Sequence, residues 1–557
     1  MKSKIPAIVA AFLCCLSCVE VNSELGGSLI PIEQTYKVFT QDIPLEEISV
    51  NMADSLSGFS QTRVTIGSID DEDFGLTTRS SAITLIPMFN DKLDFGKNPV
   101  LRNFHFSIVK DTTNVADESQ TNIIQNIRVY ELEEAPDAEK MYDTNGSIKH
   151  KTGRITKRTP IYSGGDSLSF NFNAEFAERF LTITEEETKD IDKYLERFPG
   201  IFIETDKPAG GSGRINLFDL QLSYDSQYYY LDGNYARLSF ESEYEGKRKD
   251  TSFVFYLGAL DFFDIDSLLT KGTKGKLPQY CLNLTGHQTR EREGLVTTEY
   301  IPVEGGGGLK PVISAKYLKK LAEEAISKQG GDPSQAVVNK ASLVFPFEFP
   351  ENWKDMDRWP DFLSPTCKIV IDDQTTSFMG LTDSSSQDEN QGDLDRSNFK
   401  YAPDITYHMQ ELLKIDESKA DDPKTQRLNN GDYDVWFLIM ANEVTVSENT
   451  QSSEMSDYYN YLAYQSYYNS MYGGYGGYGG YGYGGYGYGG YGGYGSAYSN
   501  YYTYAMLAQY ASSSASSTTT TVELDKDRFY KAYLNGPAHS TDAPRLELTF
   551  SIPNRND

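Results

Sequence analysis

The chain has 557 residues, with 51 Lys plus Arg against 80 Asp plus Glu, a formal charge of −29 at pH 7. Phosphate binding rests on clustered Lys and Arg, so this balance excludes nucleic acid as a natural partner and argues against lying flat on an anionic leaflet. Five cysteines are too few for a disulfide-dense scaffold, while the length suffices for several domains with sizeable cores.

Lys2 and Lys4 precede an apolar run, Ile5 to Leu16, which stops at Ser17-Cys18. A basic start, a short apolar stretch and a small residue before cysteine make a secretory signal of the lipoprotein type. The run is shorter than the roughly 20 residues needed to span a bilayer. Cleavage would remove residues 1–17 and, with Lys2 and Lys4 gone, take the charge from −29 to −31. Lipid on Cys18 would then anchor the chain without spanning the membrane. Residues 18–41, with Gly26-Gly27 and little periodicity, read as a tether.

A first β-rich domain is expected over 42–277. Its strands are read at Arg63 to Ile66, Ser81 to Ile86, Ile127 to Tyr130 and Ala236 to Phe240, short β-branched or alternating runs bounded by turn residues. Ala174 to Leu181 and Glu185 to Phe198 carry helical spacing and form a small insertion ending at Pro199-Gly200. A second β-rich domain is expected over 278–557. Ser314 is placed to cap a helix whose Leu318, Leu321, Ala322, Ala325 and Ile326 share one face, with Gly330-Gly331 as its stop. Strands follow at Val337 to Phe347, Lys368 to Ile371, Val435 to Met440 and Arg545 to Phe550. The fold class is therefore mainly β: two tandem β-sandwich-like domains with small helical insertions and a disordered Tyr/Gly-rich loop.

That loop lies in residues 458–522, which hold no charged side chain, and from Tyr472 to Gly495 every residue is Tyr or Gly. Glycine at this density costs too much backbone entropy for helix or strand interiors. As a coil the insertion would span about 40–48 Å. It reads either as a tolerated loop or as an adhesive arm, in which Tyr475, Tyr478 and Tyr481 would contact a partner or a glycan.

The motifs of common enzymes do not occur. No two of His105, His150, His287, His408 and His539 stand at metal-ligand spacing, and neither a GxSxG elbow nor a P-loop is present. Gly305 to Gly308 read as a loop, and a non-catalytic protein without a resident cofactor is expected. Calcium is the one ion considered, at Asp70 to Asp73 or along Asp388 to Asp395. Trp353 and Trp359 sit among charges and prolines. They would either stack a sugar ring and anchor a partner, or plug the end of a sandwich core. Cys281 and Cys367 are open to one bridge or two lone thiols.

Ile66-Gly67-Ser68-Ile69, the acidic stretch Asp70 to Asp73 and Phe74-Gly75 resemble the opening turn of Bacteroidota outer-membrane lipoproteins grouped as domain of unknown function 4270. Ile127 to Leu132, Phe198 to Ile203 and Val338 to Val344 resemble, in order, three further strand segments of that family. The resemblance implies a lipid-anchored, surface-facing outer-membrane protein and carries no activity or catalytic residues. The expected function is a binding or scaffold subunit of an outer-membrane assembly or transport complex, with outer-membrane proteins such as a β-barrel as partners. A glycan-binding surface lipoprotein is the alternative.

Overall fold

A computed structural model describes residues 35–89, 92–137, 142–209, 212–225, 230–258, 274–277, 279–289, 299–370, 376–381, 390–447 and 517–554, with Phe262 and Asp383. The signal, Cys18 and residues 458–516 of the insertion lie outside the described residues.

The chain is mainly β, and the strand pairs within its sheets are antiparallel. In the larger sheet the order runs Leu85–Pro87, Lys247–Leu257, Tyr235–Tyr244, Lys97–Val115, Ser212–Asp219, Arg63–Asp71, Gly75–Ile83, Ile201–Thr205, Gln125–Glu131 and Ile161–Tyr162. Gly75–Ile83 passes through Thr84 into Leu85–Pro87, which pairs at the opposite end of that order, so the sheet wraps round on itself. Its inward side chains, among them Val64, Ile66, Phe104, Phe106, Leu238 and Phe255, make the first core. Alternation along Tyr235–Tyr244, where Ala236, Leu238 and Phe240 are buried between partly exposed neighbours, is the pattern of a strand with one face to the core.

Gly67 and Gly200 each fill a backbone position that a side chain could not. At φ +151° and +109° both stand where L side chains rarely go, and an added Cβ would lie 2.3 Å from the Arg214 carbonyl oxygen or 2.4 Å from that of Ile83. The expected helical insertion is present and shorter. Ala174–Phe180 starts where Asn173 Oδ1 accepts the Phe176 N–H at 2.9 Å, and it closes the core with Phe176 and Phe180. The second helix begins at Ile191 rather than Glu185, because Asp190 accepts the Lys193 N–H and fixes the start.

The second core lies between two further sheets. One has the order Tyr36–Pro44, Arg545–Pro553, Val337–Pro346, Lys400–Tyr401. The other has Ser49–Met52, Leu309–Ile313, Val435–Ser447, Phe362–Val370, Thr376–Gly380, with Ser517–Leu524 on Val435–Ser447. Phe345 and Phe437 meet across them with ring centroids 4.7 Å apart. The helix Ala315–Lys328 buries Leu318, Ala322, Ala325 and Ile326 as expected. Ser314 precedes it, but its hydroxyl does not cap; Asp434 Oδ1 accepts the Ala315 N–H at 2.8 Å.

Three boundaries are corrected. The tether expected to reach residue 41 gives way to a strand at Tyr36, which pairs with Arg545–Pro553 from Tyr36↔Pro553 to Pro44↔Arg545. The chain then lays Ser49–Met52 against Leu309–Ile313 and buries Leu45, Ile48, Val50 and Met52 in the second core, so residues 42–53 leave the first domain. Conversely Cys281–His287 pairs with Gly75–Ile83, which moves the end of the first domain beyond 277. Alternating runs reveal that a strand exists but not which sheet it joins.

Candidate functional site

The strand Val435–Ser447 outlasts its neighbour. Phe362 pairs with Met440, and beyond it the strand continues with Ser517–Leu524 in unbroken register from Met440↔Leu524 to Ser447↔Ser517. Ser447 and Ser517, which flank the stretch containing the tyrosine-rich run, are therefore held opposite one another at the end of a two-stranded ladder. Tyr475, Tyr478 and Tyr481 themselves lie outside the described residues.

The ladder points past the Phe362 end of the sheet, where the two tryptophans also lie. Trp359 is only 7% exposed and packs on Phe347, rings 4.6 Å apart, so it plugs the core rather than a ligand site. Tyr401 completes this plug by donating to the Pro360 carbonyl at 2.6 Å. Trp353 is 64% exposed on the same loop, in a short 3-10 turn that Asn352 caps. The sequence reading thus separates into one core residue and one surface residue.

Two surface aromatics were not singled out from sequence. Phe349 is 47% exposed and Phe399 is 42% exposed, and their rings stand 5.7 Å apart at 55°. Phe399 sits at φ +51°, unusual for a bulky side chain and costly by about 1–2 kcal/mol. Asp395 holds that turn by accepting the N–H groups of Ser397 and Asn398, both at 3.0 Å. Nothing in a linear pattern marks a phenylalanine whose neighbour arrives from fifty residues away.

A group of buried charges, among them Arg79, Glu304, Lys310, Asp525 and Asp527, gathers where the two cores meet. Asp525 to Lys531, which follow directly on the returning strand of the ladder, thread this seam. Lys526 donates to the carbonyls of Ser57 and Phe59, Asp527 accepts from Asn283 Nδ2 at 3.1 Å, and Phe529 joins Ile69, Ile215 and Leu217 of the first domain. Arg79 crosses from the other side; burial pulls its guanidinium down to about 10 against the support of Asp527, Asp525 and Glu304. Its Nη1 donates to Thr285 Oγ1. The glycine stretch is a tight reversal: Lys310 Nζ donates to the carbonyls of Glu304, Gly306 and Gly308, while Glu304 Oε2 accepts from Thr289 Oγ1 at 2.6 Å and the Leu309 N–H at 3.0 Å. The cleft bounded by Thr77, Arg79, His287, Glu304 and Tyr530 leaves no room even for a water-sized occupant.

Of the acidic turn considered for calcium, Asp71 and Asp73 converge on Lys531, whose ammonium lies 2.9 and 3.0 Å from the two Asp71 oxygens and 3.1 Å from Asp73. Burial disfavours the charged Asp71 carboxylate, but Lys531 and the N–H groups of Phe74 and Asp73 outweigh it and hold the carboxyl below its ordinary range. In the second acidic stretch Asn390 accepts the N–H groups of Gly392 and Asp393, and Asp388 and Glu389 lie outside the described residues. Cys281 and Cys367 are both free and buried, in different domains, which settles the pairing in favour of two thiols. Burial raises both, Cys367 to about 12, so neither is a ready nucleophile.

Comparison of the chain with family models, curated proteins and solved structures finds no match.

Proposed function

We propose that this chain is a non-catalytic outer-membrane lipoprotein, anchored through Cys18 and exposed at the cell surface. It acts as a binding or scaffold subunit of an outer-membrane protein assembly or transport complex. The observation that carries the proposal is the ladder. A body with two cores, joined through a charged seam, holds Ser447 and Ser517 in register, and the chain between them contains the tyrosine-rich run. Tyrosine offers a broad apolar face and a hydroxyl at small rotamer cost, which suits contact with a partner protein. The signal-like first eighteen residues and the ordered resemblance to domain of unknown function 4270 support the membrane setting.

The test is purification of the tagged protein in mild detergent from its own outer membrane, with the co-eluting proteins identified by mass. Stoichiometric recovery of a β-barrel or of other lipoproteins is the expected result. Recovery of the chain alone would overturn the assembly reading.

A second reading, a glycan-binding surface lipoprotein, is favoured by one observation: Trp353, Phe349 and Phe399 are exposed at the ladder end of the second domain.

A further inference from the structure

We infer that Phe349, Trp353 and Phe399 form a binding surface for an uncharged glycan. The inference rests on the second reading above and deepens it, replacing the buried Trp359 with two phenylalanines and naming the ligand class. Large aromatic faces left in water are the feature that pyranose rings use, because their axial C–H groups stack on an aromatic face. Here Phe349 and Phe399 are held from beneath. Phe347 lies 6.0 Å from the Phe399 ring and 4.6 Å from that of Trp359, so the exposed pair is seated on the core plug. Such fixing lowers the ordering cost of binding.

Phe399 carries a further sign. A turn residue at φ +51° is comfortable as Gly or Asn, yet an aromatic residue stands there with its ring at the surface. Strain of this sort persists where the surrounding structure enforces it, and it concentrates at binding sites.

The local charge selects the class of glycan. The two segments that carry these rings hold Glu348, Glu351, Asp355, Asp357, Asp361, Asp393 and Asp395 against Lys354, Arg358, Arg396 and Lys400. Lys354 is paired with Glu118 at 2.8 Å and Arg358 with Asp355. An acidic polysaccharide would meet like charge from these carboxylates and from a chain of net −29. The hydroxyls of a neutral sugar would instead donate to the carboxylates.

The experiment is affinity electrophoresis of the full chain through gels containing dextran, mannan, mixed-linkage β-glucan, xylan or alginate, joined to a fluorescence titration. Of the three tryptophans, Trp359 and Trp436 are buried, so a change in emission reports on Trp353. At least one neutral polysaccharide should retard the protein and change its fluorescence saturably, and alginate should do neither. Trp353→Ala and Phe399→Asn, the second of which relieves the strain of the left-handed turn, should each weaken binding about tenfold without lowering the melting temperature. The inference is overturned if no neutral polysaccharide retards the protein, if alginate retards it equally, or if both variants bind as the parent does. Absence of any retardation removes the second reading with it; equal retardation by alginate, or binding that both variants retain, leaves that reading standing with another ligand class or another site, and the assembly reading stands or falls on co-purification alone.

Discussion

At the scale of single residues, two buried groups with opposite titration meet at the start of the helix Thr406–Leu413. Burial lowers His408 to about 4, only partly opposed by the Tyr433 carbonyl that its Nε2 reaches at 3.0 Å. Burial raises Asp383 to about 6, although its oxygens accept the N–H groups of Tyr407 and His408. As pH falls from 6.5 to 4 the unfolded chain protonates its histidine while the folded chain does not, so His408 costs stability, up to about 3 kcal/mol. Over nearly the same window the folded chain protonates Asp383 before the unfolded chain does, which returns about as much. The two slopes cancel. Asp383→Asn leaves the histidine slope alone, so its urea unfolding free energy should fall more steeply than the parent's between pH 6.5 and 4.5; equal slopes would refute the pairing. Gly67→Ala is a second residue-scale test. Its Cβ would lie 2.3 Å from a backbone oxygen that cannot move freely, and a loss of about 2 kcal/mol or more is expected in the same assay.

Among the elements, the seam between the domains includes one lysine, at the start of Lys531–Asn535, that pairs with Asp71. Lys531→Met would leave the Asp71 carboxylate, buried against Phe74, without its cation, at a cost of about 3 kcal/mol near neutral pH. Asp71 is held below its ordinary range, so its contribution is present above the unfolded pKa and lost as pH falls through the folded one. The difference between parent and variant should accordingly shrink in acid, and a difference independent of pH would argue against the assignment. The strand cores, such as Arg63 to Ile66 and Arg545 to Phe550, were legible because alternation and β-branching are local properties. The helix at Ala315 was legible for the same reason. The reach of Tyr36–Pro44 across to Arg545–Pro553 was not, since pairing over five hundred residues leaves no local mark. Of the surface aromatics, Trp353 could be flagged from its polar surroundings. Phe349 and Phe399 needed the turn at Asp395 to bring them together.

For the whole molecule, the Ser447↔Ser517 pair allows a severe deletion to be designed. Replacing residues 448–516 by Asn-Gly supplies the two-residue turn that such a register accepts. Closing two residues rather than this long stretch saves loop entropy, by about 3 kcal/mol in the ideal case, so the melting temperature should hold or rise. A marked fall would show that the replaced stretch packs on the body. The same variant separates the two functional readings: the glycan surface remains, while a partner that grips the tyrosines is lost from the co-purified set.

The pairing of Tyr36–Pro44 with Arg545–Pro553 ends with the Asn554 N–H donating to the Thr35 carbonyl at 2.9 Å, so residues 35 and 554, the first and last of the described stretch, lie side by side. The body is thus nearly a ring, and where the ring is cut is a choice the architecture does not impose. Joining residue 554 to residue 35 through a short linker, and opening the chain inside 448–516, should give a circular permutant with the same circular dichroism and the same tryptophan emission. In that protein the tyrosine-rich stretch would become two free tails, and its hold on any partner could be measured from one side at a time.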